Sequence, residues 1–477
     1  MRGVSLPAAA AMQSTARRPN VLLIMADTHR RDAIGVYGDP VIKTPNLDKL
    51  AAGGVRFLNC WSQHPVCMPA RATIFTGRYP QSHGVRTNGV RLPLCEVTIA
   101  EAFRRAGYDT FAAGKCHFIP QLNGPLPTME THEGPYYGFS EFHLGEDVRR
   151  GEQAVWIERN FPQWAGKPDH LIPIELHNTS WIRDHTVKFL KKAAETKKPF
   201  FAFASFVDPH QPYDPPPPYS TMYREQDMPP PLIRRGEYAA RPAYLSKIVA
   251  SQRPLFEHLT RHKTQSYGEV SFIDDAVGKM FATLDETGLR ENTIVVYLSD
   301  HGDMLGDHYL FYKGPYHFRQ CTNVPLMVSV PGAPTAGKVV EGIVQQTDLL
   351  PTLTALCEVE DPEGVQGRSQ VSVLTGDSTD TGWDSALVQY GISGAHRPQA
   401  PPPDVPDLWT LRTAGWRLSY YPKLKTGELY DISEDPEEFV NQFDNAKYAA
   451  ERTKLKEQLL DRMLDAKDPL PVRETPY

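Results

Sequence analysis

Short, continuous apolar runs recur along the chain, and each one ends in charged or polar residues. The runs and the polar residues after them are 21–25 before Asp27, the shorter stretch DTFAAG before Lys115 and His117, 200–207 before Asp208 and His210, and 294–298 before Asp300 and His301. Unbroken apolar runs of this length are typical of strands buried on both faces of a largely parallel sheet. The pattern therefore predicts strands with polar side chains at their carboxyl ends.

Stretches with helical periodicity lie between these runs. Residues 179–195 and 265–287 are rich in helix formers, and Thr98 with Glu101 has the spacing of a capping box before AFRRAG. Strands that alternate with helices predict an α/β fold, with a large, mostly parallel sheet flanked by helices. Ligands of such sheets bind outside the carboxyl ends of the strands, so we expect the polar residues to meet at one edge.

The last part of the chain has a different pattern. The segment GDSTDTGWDS interrupts the alternation at 376–385, TLRTAGWRLSYYP and GELYDIS predict antiparallel strands, and 446–466 predicts a closing helix. The length exceeds what a single small core needs. We therefore predict a disordered tail over 1–18, a large domain over 19–375, and a smaller C-terminal α+β subdomain with an antiparallel sheet over 376–477.

Long irregular segments follow two of the predicted strands, at 119–175 and 211–255. Long loops in compact domains are usually functional, so we expect these two to shape a substrate pocket. The proline-rich segment HRPQAPPPDVPD can line the same pocket or a subunit contact in a homo-oligomer.

Composition excludes several classes of protein. The net charge of −6 does not indicate a basic surface that binds nucleic acid. No apolar run approaches the roughly 18 residues that a membrane span requires. The six cysteines form no CxxC pair, which indicates free thiols. The N-terminal MRGVSLPAAAAMQS has some features of a signal peptide, but Ser5 and Pro7 interrupt its apolar part. We expect a cytoplasmic protein, with periplasmic or secreted locations as alternatives.

One cysteine, Cys67, stands in an unusual context, HPVCMPARATIFTG. Pro69 suits the first turn of a helix and Gly77 suits its end. Cys67 would then lie at a helix N-terminus, where free N–H groups favour negative charge, with Arg71 one turn further on. Taken alone, Cys67 can be a buried thiol, a metal ligand, a nucleophile or a residue that is converted into another group.

The segment around Cys67 resembles the signature of the type I sulfatases, the formylglycine-dependent family within the alkaline phosphatase superfamily. GRYPQSHGV continues that family's pattern, and GYDTFAAGKCHF, SFVDPHQPY and SDHGDMLGDHYLFYKG follow in the family's order. The resemblance covers roughly 20–350, with a family-like GELYDISEDPEE near the end. It implies the alkaline phosphatase-like sulfatase fold and makes 19–375 the catalytic domain.

The resemblance implies a role for each polar residue in these motifs. Cys67 would be oxidised to formylglycine by a formylglycine-generating enzyme, a partner during maturation, and the hydrated aldehyde would attack sulfur. Arg71, Lys115 and Lys313 would surround the sulfate with positive charge. His117 would accept a proton of the diol, and His210 with Lys313 would lie at the leaving-group oxygen.

The resemblance also implies one divalent metal, bound by Asp27, Asp300, His301 and residue 67. Carboxylate oxygens favour Ca²⁺ or Mg²⁺, and His301 adds some preference for Mn²⁺ or Zn²⁺; we place Ca²⁺ first. The family often has a second acid after the first strand, where this chain has Thr28. Whether Thr28 binds the metal therefore stays open.

Three functions compete at this stage. The first is a sulfuric ester hydrolase of the arylsulfatase kind, acting on a small-molecule or saccharide sulfate. The second is a phosphonate monoester or phosphodiester hydrolase of the same superfamily, whose formylglycine-using members tend to carry neutral tyrosine and threonine where this chain has Lys115 and His117. The third is a non-catalytic binding protein with an unmodified Cys67. Because Lys115 is cationic and His117 is titratable, we rank the sulfatase first.

Overall fold

Two sheets organise the chain in a computed structural model that describes residues 18–120, 126–147, 149–391 and 407–471. The larger sheet has eight strands and the smaller has four. The predicted tail over 1–18 and the segment HRPQAPPPDVPD lie almost wholly outside the described residues. No helix within the described ranges combines the length and the apolar character that crossing a membrane requires.

The larger sheet is mostly parallel, as predicted. Its strands are β1 Asn20–Ala26, β2 Val55–Trp61, β3 Asp109–Gly114, β4 Glu141–Leu144, β5 Phe200–Phe206, β6 Thr293–Ser299, β7 Asn323–Ser329 and β8 Lys338–Gln345, and their order is β4-β3-β5-β1-β6-β7-β2-β8. Strand β7 runs antiparallel to both β6 and β2. The other neighbouring pairs are parallel.

The central strands are buried on both faces, which explains their unbroken apolar sequences. In β1, Val21, Leu23 and Met25 belong to one hydrophobic cluster. Leu22 and Ile24 belong to another cluster on the opposite face. Because successive side chains of a strand point to opposite faces, a strand that contacts helices on both sides has no solvent-exposed position along its middle.

Helices cover both faces of this sheet. The helices before the smaller sheet are α1 Pro45–Ala52, α2 Cys67–Thr76, α3 Pro80–His83, α4 Ile99–Arg105, α5 Glu152–Asn160, α6 Asn178–Thr196, α7 Ala243–Gln252, α8 Leu259–Glu286, α9 Arg319–Thr322, α10 Leu349–Leu356 and α11 Val371–Thr375. Helices α6 and α8 confirm the two predicted helices. The capping box at α4 is only half formed: Thr98 accepts the Glu101 N–H at 3.1 Å, whereas the Glu101 carboxylate pairs with Arg104 and Arg105.

The C-terminal part forms the predicted antiparallel sheet and closing helix. Strands β9 Ser385–Tyr390, β10 Leu408–Thr413, β11 Trp416–Tyr421 and β12 Thr426–Asp431 pair in the order β12-β11-β10-β9. Helix α12, Ala449–Asp465, places Leu455 and Leu459 against this sheet. Both are buried, so one face of the sheet forms a small core of its own.

A buried network of arginines and glutamates connects the smaller sheet to the rest of the protein. The Glu438 carboxylate accepts hydrogen bonds from Arg412 and, at 2.7 Å, from Arg417. Its main-chain oxygen accepts one from Arg241, at 2.6 Å, and Arg241 also pairs with Glu237 at 2.9 Å. The network therefore joins the irregular segment before α7 to strands β10 and β11.

We predict that Glu438→Gln lowers the free energy of unfolding by about 3–5 kcal/mol, because it leaves buried arginine charge without its partner. Chemical denaturation measures this change. Glu451→Gln is the matched control, since Glu451 pairs with Lys454 on the exposed surface, and such a pair contributes less than about 1 kcal/mol. Equal effects of the two substitutions would contradict the structural role given to the network.

The same network should also make stability depend on acid pH. Burial alone would raise the pKa of Glu438, but Arg412 and Arg417 outweigh it and lower the pKa to about 2. A carboxyl with a depressed pKa stabilises the fold above its unfolded pKa of about 4.3. This contribution is lost as the pH falls towards 2, and Glu438→Gln should remove that part of the pH dependence.

Candidate active site

The carboxyl ends of β1 and β6 bring four buried side chains together. Asp27 follows β1 and Asp300 follows β6, and these two strands are parallel neighbours. With Cys67 and His301 they form a group whose metal-binding atoms all lie within 4.8 Å of one another. Each of the four is at most 1% exposed. The sheet thus brings together residues that lie more than 200 positions apart in the sequence.

Helix α2 places Cys67 at its first position, as the sequence predicts. The preceding residue Val66 is extended. The helix ends at Gly77, which has φ 65° and whose N–H bonds the Thr73 carbonyl at 2.9 Å. Pro69 is the third helical residue, where no intrahelical partner for an N–H is required. At the start of this helix, however, the N–H groups of Met68 and Ala70 donate to Asn88 Oδ1 and to the Val66 carbonyl. Pro69 has no N–H, so the free N–H groups expected beside Cys67 are not present at these three positions.

Arg71 lies one turn after Cys67 and is fully buried. Its Nε donates to Asp300 Oδ2 at 2.9 Å, and its Nη2 donates to Asp27 Oδ2 at 3.2 Å. Its Nη1 donates to Ser205 Oγ at 2.9 Å and to the Lys115 carbonyl. The guanidinium fixes both carboxylates of the candidate metal site. Ser205 opens the motif SFVDPHQPY, but sequence analysis assigned it no role.

Lys115 supplies a second buried cation. Its Nζ lies 2.7 Å from Asp27 Oδ2. Burial alone would raise the pKa of Asp27, but Lys115, His210 and Arg71 lower it well below its usual range. Burial would lower the pKa of Lys115, and the Asp27 carboxylate raises it instead. Both groups are therefore charged at neutral pH, even though neither contacts bulk solvent.

His301 presents one ring nitrogen to the centre of this group. Its Nδ1 lies 3.0 Å from the Gly302 carbonyl, which can only accept, so Nδ1 carries the proton. Nε2 is then free to act as a ligand, and it lies 3.2 Å from Cys67 Sγ. A carbonyl that fixes the tautomer in this way is the usual arrangement for a metal-binding histidine.

Thr28 occupies the position where the type I sulfatases often have a second acidic residue. It has φ 58°, and its N–H donates to Asp300 Oδ1 at 3.1 Å. Its Oγ1 is buried and has no hydrogen-bond partner among the residues that the structure describes. Two carboxylates, one imidazole nitrogen and one spare hydroxyl oxygen form a donor set that fits a divalent cation.

His117 is held in a left-handed conformation, with φ 55°. The carboxylate of Glu146 accepts its N–H at 2.6 Å and the N–H of Cys116 at 3.3 Å. Burial lowers the pKa of His117 well below its usual range, and the cations Lys115 and Arg71 lower it further. His117 is therefore neutral and can accept a proton. Sequence analysis missed Glu146, because it lies in an irregular segment without a motif.

Lys313 and His210 reach the same site from two loops. The charge of Lys313 influences the pKa values of both Asp27 and Cys67, and its Nζ is buried without a hydrogen-bond partner in the described part of the chain. His210 donates from Nδ1 to the Gln211 carbonyl at 2.7 Å, which leaves Nε2 for a ligand. The structure thus gathers all of the residues that the sequence analysis assigned to the site.

Comparisons with known proteins agree with this geometry. The sequence model of the family described as "Sulfatase" matches residues 19–359, and the model described as "N-sulphoglucosamine sulphohydrolase, C-terminal" matches residues 306–465. An arylsulfatase of Clostridium perfringens is 30% identical over 94% of this chain and 95% of its own length.

Other similar proteins carry different names within the same superfamily. The multifunctional alkaline phosphatase superfamily protein PehA of Trinickia caryophylli is 27% identical over 91% of this chain and 93% of its own length. The crystal structure of a phosphonate monoester hydrolase of Agrobacterium radiobacter superposes with a TM-score of 0.81 and 27% identity, covering 95% of this chain and 97% of that one.

The family match over most of the chain and the shared fold lead to one assignment. The strands, the buried carboxylates and the helix that begins at Cys67 occur in the region that the sulfatase match covers. This protein therefore belongs to the sulfatase family of hydrolases, within the alkaline phosphatase superfamily.

Proposed function

We propose that this protein hydrolyses a sulfate monoester, using a formylglycine derived from Cys67 and one divalent metal ion. One observation carries the proposal: near the group Asp27, Cys67, Asp300 and His301 lie buried nitrogen atoms that have no hydrogen-bond partner among the described residues. Lys313 Nζ and His117 Nδ1 are two such atoms. Buried polar groups require partners, and an anionic sulfate oxygen can serve both.

The metal would be held by Asp27, Asp300 and His301, with Thr28 Oγ1 as a further oxygen donor. The predominance of oxygen favours Ca²⁺ or Mg²⁺, and the imidazole leaves Mn²⁺ or Zn²⁺ as alternatives; we place Ca²⁺ first. When bound, such an ion supplies positive charge next to residue 67 and lowers the pKa of a hydroxyl there. In the structure, Cys67 Sγ takes the place of that formylglycine oxygen.

The cationic residues bind and orient the ester. Lys115 and Lys313 would contact sulfate oxygens, while Arg71 holds Asp27 and Asp300 in place. All of these charges are fixed by the fold before substrate arrives. Preorganised charge in a water-excluded site usually lowers the reaction barrier more than any other single effect.

Residue 67 and two histidines would move the atoms and protons. A formylglycine hydrate at residue 67 would supply one hydroxyl, ionised next to the metal, to attack sulfur. Its second hydroxyl would lose a proton to re-form the aldehyde, as the bond from carbon to the sulfate oxygen breaks. The bond between sulfur and the ester oxygen breaks, and His210 or Lys313 protonates the departing oxygen. His117 accepts the proton of the second hydroxyl as sulfate leaves. Burial, Lys313 and Lys115 lower the pKa of His210, and a bound anion would raise it again.

A phosphonate monoester hydrolase is the second candidate function. The 27% identical structure of such an enzyme, at a TM-score of 0.81, favours it. Lys115 and His117 favour the sulfatase, since formylglycine-using phosphonate hydrolases tend to have neutral tyrosine and threonine there. A non-catalytic protein with an intact thiol at Cys67 is the third alternative, and the complete set of charged residues argues against it.

The first prediction concerns Cys67. In a host with a formylglycine-generating enzyme, peptide mass spectrometry should show that residue 67 has lost sulfur and gained an aldehyde. Cys67→Ala, which cannot be converted, should abolish turnover while its thermal unfolding midpoint stays close to that of the wild type. A fully active protein whose Cys67 remains a thiol would contradict the mechanism.

The second prediction concerns the metal. Asp300→Ala should lose stoichiometric divalent metal and nearly all activity, because it removes one carboxylate and also one partner of Arg71. Elemental analysis of the purified protein measures the metal independently of turnover. Asp285→Ala is the control, since Asp285 is an exposed residue of α8 that pairs with Arg290 on the surface. Full metal content in Asp300→Ala would remove the assignment.

The third prediction ranks the substrates. An aryl sulfate and a phosphonate with the same phenol should be compared on fully converted enzyme, and we expect the higher kcat/KM for the sulfate. His117→Ala should lower kcat/KM about 10²–10⁴-fold, the range for a lost general acid or base, whereas the exposed His258→Ala should not. A wild-type preference for the phosphonate would reverse the ranking and establish the second candidate.

A further inference from the structure

A buried carboxylate outside the candidate metal site, Asp303, connects two separate loops. It is 2% exposed. Its Oδ1 accepts the N–H groups of Leu305 and Tyr312, both at 2.9 Å. Its Oδ2 accepts the hydroxyl of Tyr213 at 2.8 Å. Hydrogen bonds to an ionised acceptor are shorter and stronger than those between neutral groups, so Asp303 fixes both loops firmly.

Each of these loops carries one residue of the leaving-group side of the site. Tyr312 directly precedes Lys313, and its carbonyl accepts the Met304 N–H at 2.9 Å. Tyr213 lies three residues after His210, and its ring stacks on the ring of Tyr312 with 6.5 Å between centroids. One carboxylate and one stacked ring pair thus set the position of the His210 loop relative to the Lys313 loop.

Other tyrosines of the protein also donate to aspartates, and they provide a comparison. Tyr219, in the same segment as Tyr213, donates to Asp275 on α8. Tyr267 donates to Asp39 at 2.5 Å. Neither of these pairs connects two loops that carry residues of the candidate active site, whereas the Tyr213–Asp303 pair does.

We propose that Asp303 and Tyr213 are positioning residues that hold His210 and Lys313 at the correct separation to protonate the leaving-group oxygen. The inference rests on the proposed function, which places these two groups at that oxygen. A small displacement between acid and acceptor reduces proton transfer strongly. The resulting loss depends on the substrate, because a basic leaving group needs the proton and an acidic one departs without it.

The test uses Tyr213→Phe, which removes the hydroxyl and keeps the stacked ring. The kcat/KM values are measured for a series of aryl sulfates, from nitrophenyl sulfates to phenyl sulfate. We expect the substitution to lower kcat/KM for phenyl sulfate about 10- to 100-fold, which is part of the range for general acid catalysis. For the most activated nitrophenyl sulfate, kcat/KM should change by less than about threefold. The dependence of kcat/KM on the pKa of the leaving group should therefore become steeper.

Two further variants make the result decisive. Asp303→Asn should steepen the same dependence. Its amide retains one acceptor for the main chain, but it replaces the strong bond from the Tyr213 hydroxyl to a carboxylate with a weaker one in which the tyrosine can only accept. Tyr219→Phe removes an equivalent hydroxyl–carboxylate bond nearby and should leave the dependence unchanged. If Asp303→Asn does not fold, as judged by thermal unfolding, Tyr213→Phe decides alone.

The outcomes separate this inference from the proposed function. An equal loss on every substrate in Tyr213→Phe, or no loss on any, would overturn the positioning role and leave the sulfatase proposal intact. A wild-type enzyme that cleaves only aryl phosphonates would overturn the sulfatase proposal. In that case the same series of leaving groups would be prepared as phosphonates. The dependence of kcat/KM on the leaving-group pKa, compared between wild type and Tyr213→Phe, would then test the positioning role.

Discussion

The guanidinium of Arg71 holds the carboxyl ends of four strands together. It donates to Asp27 after β1, to Asp300 after β6, to Ser205 in β5 and to the carbonyl of Lys115 after β3. A buried charge is costly unless it is paired and hydrogen-bonded, and each of these partners meets that condition. The arrangement of the site depends on this one side chain, because without it two buried carboxylates would face each other with less compensation.

Charge balance then determines what the site can bind. Asp27 and Asp300 supply negative charge, and Arg71, Lys115 and Lys313 supply positive charge within a small buried volume. In the proposed function, a divalent cation lies beside the carboxylates and His301, and an anionic ester lies beside Lys115 and Lys313. These two ligands would give partners to the Thr28 hydroxyl and the Lys313 ammonium group, which have none among the described residues.

The loops that complete the site are stabilised from outside the larger sheet. His308, in the loop after β6, lies 2.7 Å from Glu237, and Glu237 pairs with Arg241 of the arginine–glutamate network. The network continues to Glu438 and to strands β10 and β11. The C-terminal sheet is therefore coupled to the loop that carries Asp303 and Lys313. It contributes none of the four residues of the candidate metal site, which are Asp27, Cys67, Asp300 and His301.

The sequence by itself determined strands β1, β3, β5, β6 and β10–β12, helices α6, α8 and α12, and the identity of the residues at the strand ends; it gave no prediction for β2, β4, β7, β8 or β9. Local physics explains this, because an apolar run without alternation suits only a doubly covered strand, and Pro69 and Gly77 delimit α2 through their own backbone preferences. The motifs that carry Lys115, His210 and Asp300 were recognised because each follows such a run, and the motif of Cys67 because Pro69, Gly77 and Arg71 give its helix a distinctive local pattern.

Only the tertiary structure decided the rest. The antiparallel course of β7, the hydrogen bond from the Thr28 N–H to Asp300 and the bridges made by Glu146 and Asp303 depend on partners distant in the sequence. An isolated carboxylate in an irregular segment has no periodicity and no local backbone signature. Its role is set by which N–H and O–H groups the folded chain brings within hydrogen-bond distance, and that information exists only once the sheet has formed.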